Sequence, residues 1–116
     1  MMAETLLIAG IRACDSMKKA FARLDAAGMA YTFQDFKKQP PSAEQLATWL
    51  DRLGADTLVN RRGTTWRQLS TDEQAAVEDR DQLIALLQAK PSLIKRPLLA
   101  RGEQASVGLD SALLPA

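Results

Sequence analysis

The chain holds one cysteine, Cys14, in the stretch Ala9-Gly-Ile-Arg-Ala-Cys-Asp-Ser-Met-Lys-Lys19, where an apolar run gives way to a helical pattern. The thiolate is the nucleophilic form of the side chain, whereas a buried thiol packs as a small, inert apolar group. Two further clusters carry charge suited to chemistry. Arg61-Arg-Gly-Thr-Thr-Trp-Arg67 sets three guanidinium groups beside two hydroxyls, which fits either an anion-binding site or a solvated basic loop. Lys95-Arg96-Pro97 places two cations directly before a proline that opens an apolar run. X–Pro bonds are the ones that populate cis, so Pro97 reads either as a special turn or as an ordinary strand start.

What is missing narrows the chemistry. The chain has no histidine, which removes Cys-His and Ser-His pairs, His-based zinc sites and the usual neutral-pH general base. No metal is expected. A lone cysteine forms no internal disulfide, so a reducing cytoplasm is the expected compartment. A net charge of +1 supplies no overall field toward nucleic acid or membrane. The apolar run at residues 5–10 is too short for a membrane span and lacks a basic leader.

The elements that must position these groups follow from apolar spacing. Residues 5–9 form a continuous apolar run bounded by Gly10, a buried strand. From Cys14 or Asp15 to Ala27, Met17, Ala20, Phe21, Leu24 and Ala27 recur at helical spacing, and Gly28 ends the helix. Residues 31–36 are aromatic and β-branched, a second strand, so the three elements predict a right-handed βαβ unit with parallel strands. Ser42 with Gln45 reads as a capping box for a helix through Leu46, Trp49, Leu50 and Leu53, with Trp49 in the core. A short helix is expected at 56–59, a polar turn at 60–65, helices opening at Ser70 or Thr71 and at Asp79, and a stop at Pro91. Trp66 is expected to pack against helices or to stack beside Arg67. Residues 93–100 read as a strand interrupted at its start by Pro97, Gly102-Glu103 as a turn, 105–108 as the partner strand of a hairpin and 109–114 as a brief helix.

The expected architecture is α/β: βαβ then ββα sharing a mixed four-stranded sheet, the thioredoxin-like fold, as a single domain over residues 1–116 with an all-helical insertion at about 42–90. In that arrangement Cys14 lies at a helix N-terminus. There unpaired backbone N–H groups and the helix dipole favour an anion, and thiols in such positions are acidified. Arg12, Lys18 and Lys19 add positive charge, and Asp15 opposes it. The two readings of the thiol stand about even on these grounds.

Three motifs in order, Gly10-Ile-x-x-Cys14-Asp-Ser-x-Lys-Lys-Ala20, Arg62-Gly-Thr-Thr-Trp-Arg67 and Ile94-Lys-Arg-Pro-Leu-Leu99, resemble the arsenate reductase-related ArsC/Spx family, and more narrowly its YffB branch. The resemblance spans nearly the whole chain. It implies a thioredoxin fold, a catalytic Cys14 and a cis proline at Pro97. It also implies that Arg96 and Arg62 face the cysteine sulfur, with Arg61 as a further candidate. Ile11, Arg12, Ala13, Asp15, Ser16 and Lys18 around the thiol, with Arg61, Lys95 and Pro97, become the expected substrate- or glutathione-binding residues. Three features depart from the pattern. The arsenate reductases carry a His shortly before the Cys, where this chain has Gly10. They carry a further Arg near the last strand, where this chain reads Val107-Gly-Leu-Asp110. The Spx regulators often have Cys-x-x-Cys, and the second position here is Met17.

One cysteine leaves no resolving partner within the chain, so a cycle needs an external thiol. The expected function is a single-cysteine thiol–disulfide oxidoreductase, a glutathione-dependent thiol reductase working through a Cys14 mixed disulfide. Glutathione serves as co-substrate, and a disulfide or glutathionylated molecule is the substrate. The protein is expected to be a monomer without nucleic-acid or membrane partners. Two alternatives stand beside it: a glutathione-coupled arsenate reductase, which the missing His and Arg count against, and a non-enzymatic Spx-like regulatory binding module.

Overall fold

A computed structural model describes residues 5–115. The fold divides into two compact units, one comprising the chain up to Gln39 together with the stretch from Arg96 onward, the other Pro40–Lys95.

The first unit is built on a sheet. Strand β1 (Leu6–Gly10) leads to helix α1 (Asp15–Ala26) and strand β2 (Tyr31–Asp35); strands β3 (Leu98–Arg101) and β4 (Gln104–Val107) form a hairpin. The strand order is β2-β1-β3-β4. β1 and β2 pair in parallel from Leu6↔Tyr31 to Gly10↔Asp35, β3 runs antiparallel to β1 with Leu98 opposite Ala9, and β4 runs antiparallel to β3. This is the mixed thioredoxin-like α/β sheet that the order of elements predicts. β1 reads as an unbroken apolar run because it is central, with Leu6, Ile8 and Ala9 all buried. α1 turns Met17, Ala20 and Leu24 inward at helical spacing, onto Leu6, Ile8, Leu99, Leu113 and Leu114. Burial of each large side chain contributes about 1.5–3 kcal/mol. Gly28 adopts φ +63 just past the helix, the left-handed conformation in which a side chain is strained.

Two expectations in this unit are corrected. The strand expected over 93–100 begins only at Leu98, because Pro97 has no N–H to give the ladder; Leu93 ends a 3₁₀ turn, and Ile94 bridges to Val59. Residues 109–114 form successive turns instead of a helix. Gly108 takes φ +97, the bonds Ser111 N–H to Gly108 and Leu114 N–H to Ser111 span only three residues, and the Ser111 hydroxyl accepts the Leu113 N–H that a helix would need. The turns still bury Leu113 and Leu114.

The second unit is helical: α2 (Ala43–Leu53), α3 (Ala55–Leu58), α4 (Thr64–Arg67), α5 (Thr71–Ala75) and α6 (Arg80–Ala89), with 3₁₀ turns at Ala76–Glu78 and Pro91–Leu93. Both ends of the Ser42–Gln45 capping box are made, Ser70 rather than Thr71 caps α5 in a second box with Glu73, and Asp79 caps α6 through the Gln82 N–H. Leu46, Trp49, Leu58, Leu83, Leu87, Leu93 and Ile94 are among its buried residues. α4 lies partly in the segment read as a polar turn; at four residues it is too short to show a period.

Candidate functional site

The loop between β1 and α1 places the thiol. The Cys14 N–H donates to the Ile11 carbonyl at 3.1 Å, closing a tight turn, and the Cys14 carbonyl accepts the Lys18 N–H at 3.0 Å as the first bond of the helix. Cys14 is therefore the N-cap of α1, with extended φ −72 and ψ 136. An N-cap side chain ordinarily accepts an orphan N–H of the first turn, yet the Cys14 side chain makes no cap hydrogen bond. The residue is half-buried and packs on the α1 core cluster. Its sulfur thus stands at the boundary of core and solvent with its lone pairs uncommitted.

The neighbours divide by exposure. Arg12, Ala13, Asp15 and Lys18 are exposed, and Ile11 and Ser16 are half-buried. Arg12, expected as a cation for the thiol or its substrate, turns onto the aromatic side of the unit, its guanidinium carbon 4.9 Å from the Phe33 ring centre and 5.4 Å from that of Phe21. Phe21 also meets Phe33 edge-on with centres 5.0 Å apart, and Tyr31 at 5.7 Å. Tyr31 donates its hydroxyl to Asp25 at 3.4 Å. Partial desolvation and the Asp25 carboxylate push the phenol above its ordinary range, and Arg12 pulls the other way.

Arg96 enters the same unit from the other end of the chain. The Arg96–Pro97 bond is cis, as the resemblance implies. Pro97 is buried, and its carbonyl accepts the Gly108 N–H at 2.9 Å. The Arg96 stem lies against the end of β1: a methyl group placed on Gly10 would sit 3.3 Å from Arg96 Cγ and 2.6 Å from the Met17 sulfur. Gly10, Met17 and Arg96 were not legible as a group, since only the fold converges them.

The Arg-rich segment belongs to the helical unit. A cavity of about 380 Å³ is lined by Asp56, Val59, Asn60, Arg61, Arg62 and Lys95. Arg61 is already engaged: it pairs with Asp56 at 2.8 Å and lies 5.5 Å from the Trp66 ring centre, so Trp66 stacks with Arg61 and not with Arg67. Asn60 shapes the loop by accepting the Arg62 N–H at 3.1 Å, and Gly63 leaves room for it, since a Cβ there would come within 2.9 Å of the Asn60 amide nitrogen. Thr65 shares a hydrogen bond with Ser92 at 2.9 Å, and the Lys95 N–H donates to the Leu58 carbonyl at 2.9 Å. Among the described residues Arg62 and Lys95 have no carboxylate partner. Two cations facing one cavity suit a carboxylate or another anion. Asp56 and Asn60 escaped sequence reasoning, although an Asn two residues before a turn amide is a readable signal.

Among the described residues no group of three or more His, Cys, Asp or Glu is placed to hold a metal ion, and no helix is long and apolar enough to cross a membrane.

The sequence profile of the ArsC family matches residues 10–114. A solved structure named YFFB protein is 42% identical, with a TM-score of 0.85 over 91% of this chain and 92% of its own. An uncharacterised protein of Haemophilus influenzae is 32% identical over 106 residues, 90% of this chain and 91% of its own. The global transcriptional regulator Spx of Listeria innocua is 26% identical over 99 residues, 84% of this chain and 74% of its own.

Proposed function

The chain belongs to the ArsC family, and we propose that it is a glutathione-dependent thiol reductase working through a mixed disulfide on Cys14. The observation that supports the reading is a sole cysteine at the head of a twelve-residue helix, half-exposed and free of the capping bond its position invites.

The cycle has two exchanges. The Cys14 thiolate attacks the glutathione sulfur of a substrate R–S–S–G, forming the Cys14–glutathione disulfide and releasing R–S⁻, which takes a proton from solvent. A second glutathione thiolate attacks its counterpart in that disulfide, forming oxidised glutathione and returning the Cys14 thiolate. The net change is reduction of one substrate disulfide by two electrons, with two glutathione moieties leaving as one oxidised pair. In this reading the first-turn N–H groups of α1, which the Cys14 side chain leaves unbonded, are open to the sulfur both as attacking and as leaving group. Arg96 is assigned to the sulfur; within the helical unit Arg62 and Lys95, which line one cavity, are the cations open to a carboxylate, each charge-assisted bond contributing roughly 1.5–3 kcal/mol. Arg61, held by Asp56, has the lesser part.

Arsenate fits less well. Where the arsenate reductases carry a His, the space beside Gly10 is occupied by the Met17 thioether. The Spx similarity favours a second reading, a regulatory binding module whose function does not require the thiol. Turnover of a glutathionylated peptide by the parent and by Cys14→Ser separates these readings: the proposal expects activity in the parent and none in the folded variant. Equal activity in both proteins rejects it, and capture of an RNA polymerase subunit by the inactive variant supports the regulatory reading.

A further inference from the structure

Two side chains from distant parts of the sequence converge on the point where Gly10 lacks a Cβ. A methyl group there would lie 2.6 Å from the Met17 sulfur, 3.1 Å from its terminal carbon and 3.3 Å from Arg96 Cγ. The first distance is far inside van der Waals contact. Met17 is fully buried and packed among Leu6, Ile8, Ala20 and Leu24, so its thioether has little room to retreat. Gly10 is also at φ +157, outside the range that side chains favour.

The geometry points to Gly10 as a positioning residue for Arg96, with Met17 as the wedge that completes the seat. Met17 lies three residues after Cys14 and hence on the same side of α1. Gly10 ends the strand that leads into the Cys14 loop. The thioether and the Arg96 stem share one small volume at the root of that loop, so whatever fills the volume sets where the guanidinium stands. A side chain at residue 10 would push first on Met17 and then on the arginine stem, moving the cation without removing it. This inference rests on the reading of Arg96 as the cation at the Cys14 sulfur and adds what holds it there.

The test reads the cation directly and needs no glutathione. Cys14 is the only thiol, and the ratio of its alkylation rates with anionic iodoacetate and neutral iodoacetamide reports positive charge near the sulfur. Arg96→Ala is expected to lower that ratio roughly fivefold, the effect of one unit charge at a few ångströms in water-like surroundings. Gly10→Ala should lower it comparably in the parent and leave it unchanged in the Arg96→Ala background, because it acts through the arginine. Adding Met17→Ala to Gly10→Ala vacates the thioether's space and should restore the parental ratio. Met17→Phe crowds the same point without touching the backbone of residue 10 and should reproduce the drop, which keeps the test decisive if Gly10→Ala does not fold. An unchanged ratio in Arg96→Ala, an equal drop from Gly10→Ala in both backgrounds, or a parental ratio in folded Met17→Phe overturns the inference. Failure of glutathione turnover with these couplings intact rejects the glutathione reading alone.

Discussion

Replacing Cys14 by serine and by alanine separates a thiol kept for chemistry from one kept for packing. Cys14 occupies the N-cap of α1 with the extended backbone of that position and no side-chain bond to the first turn. Serine is among the best N-caps: its oxygen would accept the N–H of Ser16 or Met17, and a cap of this kind stabilises by about 1 kcal/mol. Against this, exchanging the half-buried sulfur beside the α1 cluster for a smaller polar atom forfeits about 0.5 kcal/mol of apolar contact. The balance favours Cys14→Ser by about 0.5 kcal/mol, a rise in Tm of roughly 2–4 °C for a chain of this size. Cys14→Ala forfeits the same contact with no cap in return, so it should melt roughly 4 °C or more below the serine variant. Differential scanning calorimetry of the three proteins in reductant gives the order. If alanine equals or exceeds serine, and both fall well below the parent, the sulfur is there to pack and the reasoning fails.

The remaining predictions concern the surroundings. Tyr31 is the only tyrosine, so absorbance of its phenolate reads one group, and it should titrate above 10.0 because burial and Asp25 favour the protonated form. Stability contributed by that shift is complete below 10.0 and lost as pH rises through the folded value. Asp25→Asn should lower the titration midpoint and Arg12→Ala should raise it, and an unmoved midpoint in Arg12→Ala would place the guanidinium elsewhere than over the ring face. Glu73 has its carboxyl held below the ordinary range, chiefly by the Ser70 N–H and less by Lys90. Its capping contribution is therefore full above about 4.5 and lost as pH falls through the lower folded value, a dependence that Glu73→Gln, which removes the titrating carboxyl, should abolish in pH-dependent melts. In the helical unit, Arg62→Ala should weaken glutathione binding by calorimetry roughly tenfold or more, the loss of one charge-assisted bond, and Arg61→Ala much less because Asp56 already holds Arg61. The reverse order would assign the carboxylate to the wrong arginine.

Features governed by local rules were legible in the sequence. The run Leu6, Leu7, Ile8, Ala9 announced a central strand because both its faces want burial, and Met17, Ala20 and Leu24 fixed the inner face of α1. Ser42 with Gln45 marked a helix start through a reciprocal bond that needs only residues three apart, and Ser70 or Thr71 marked another, of which Ser70 makes the cap. What failed to show was set by competition or by tertiary contact. Ser111 diverts a backbone N–H and turns an apparent helix into turns. Arg12 reads as a cation beside the thiol until β2 brings Phe33 within stacking reach. Charge alone does not separate Arg61 from Arg62, and the ion pair that engages Arg61 shows only when α3 supplies Asp56. The Gly10 seat is the extreme case, since it depends on an absent side chain and on an arginine from the far end of the chain.

The proposed cycle requires that Cys14 form and release a glutathione disulfide. Mass spectrometry of the native protein incubated with oxidised glutathione tests it most directly. A single adduct is expected, carried by the peptide containing Cys14, that added reduced glutathione removes. A folded protein that stays unmodified while its denatured form accepts the adduct would contradict it.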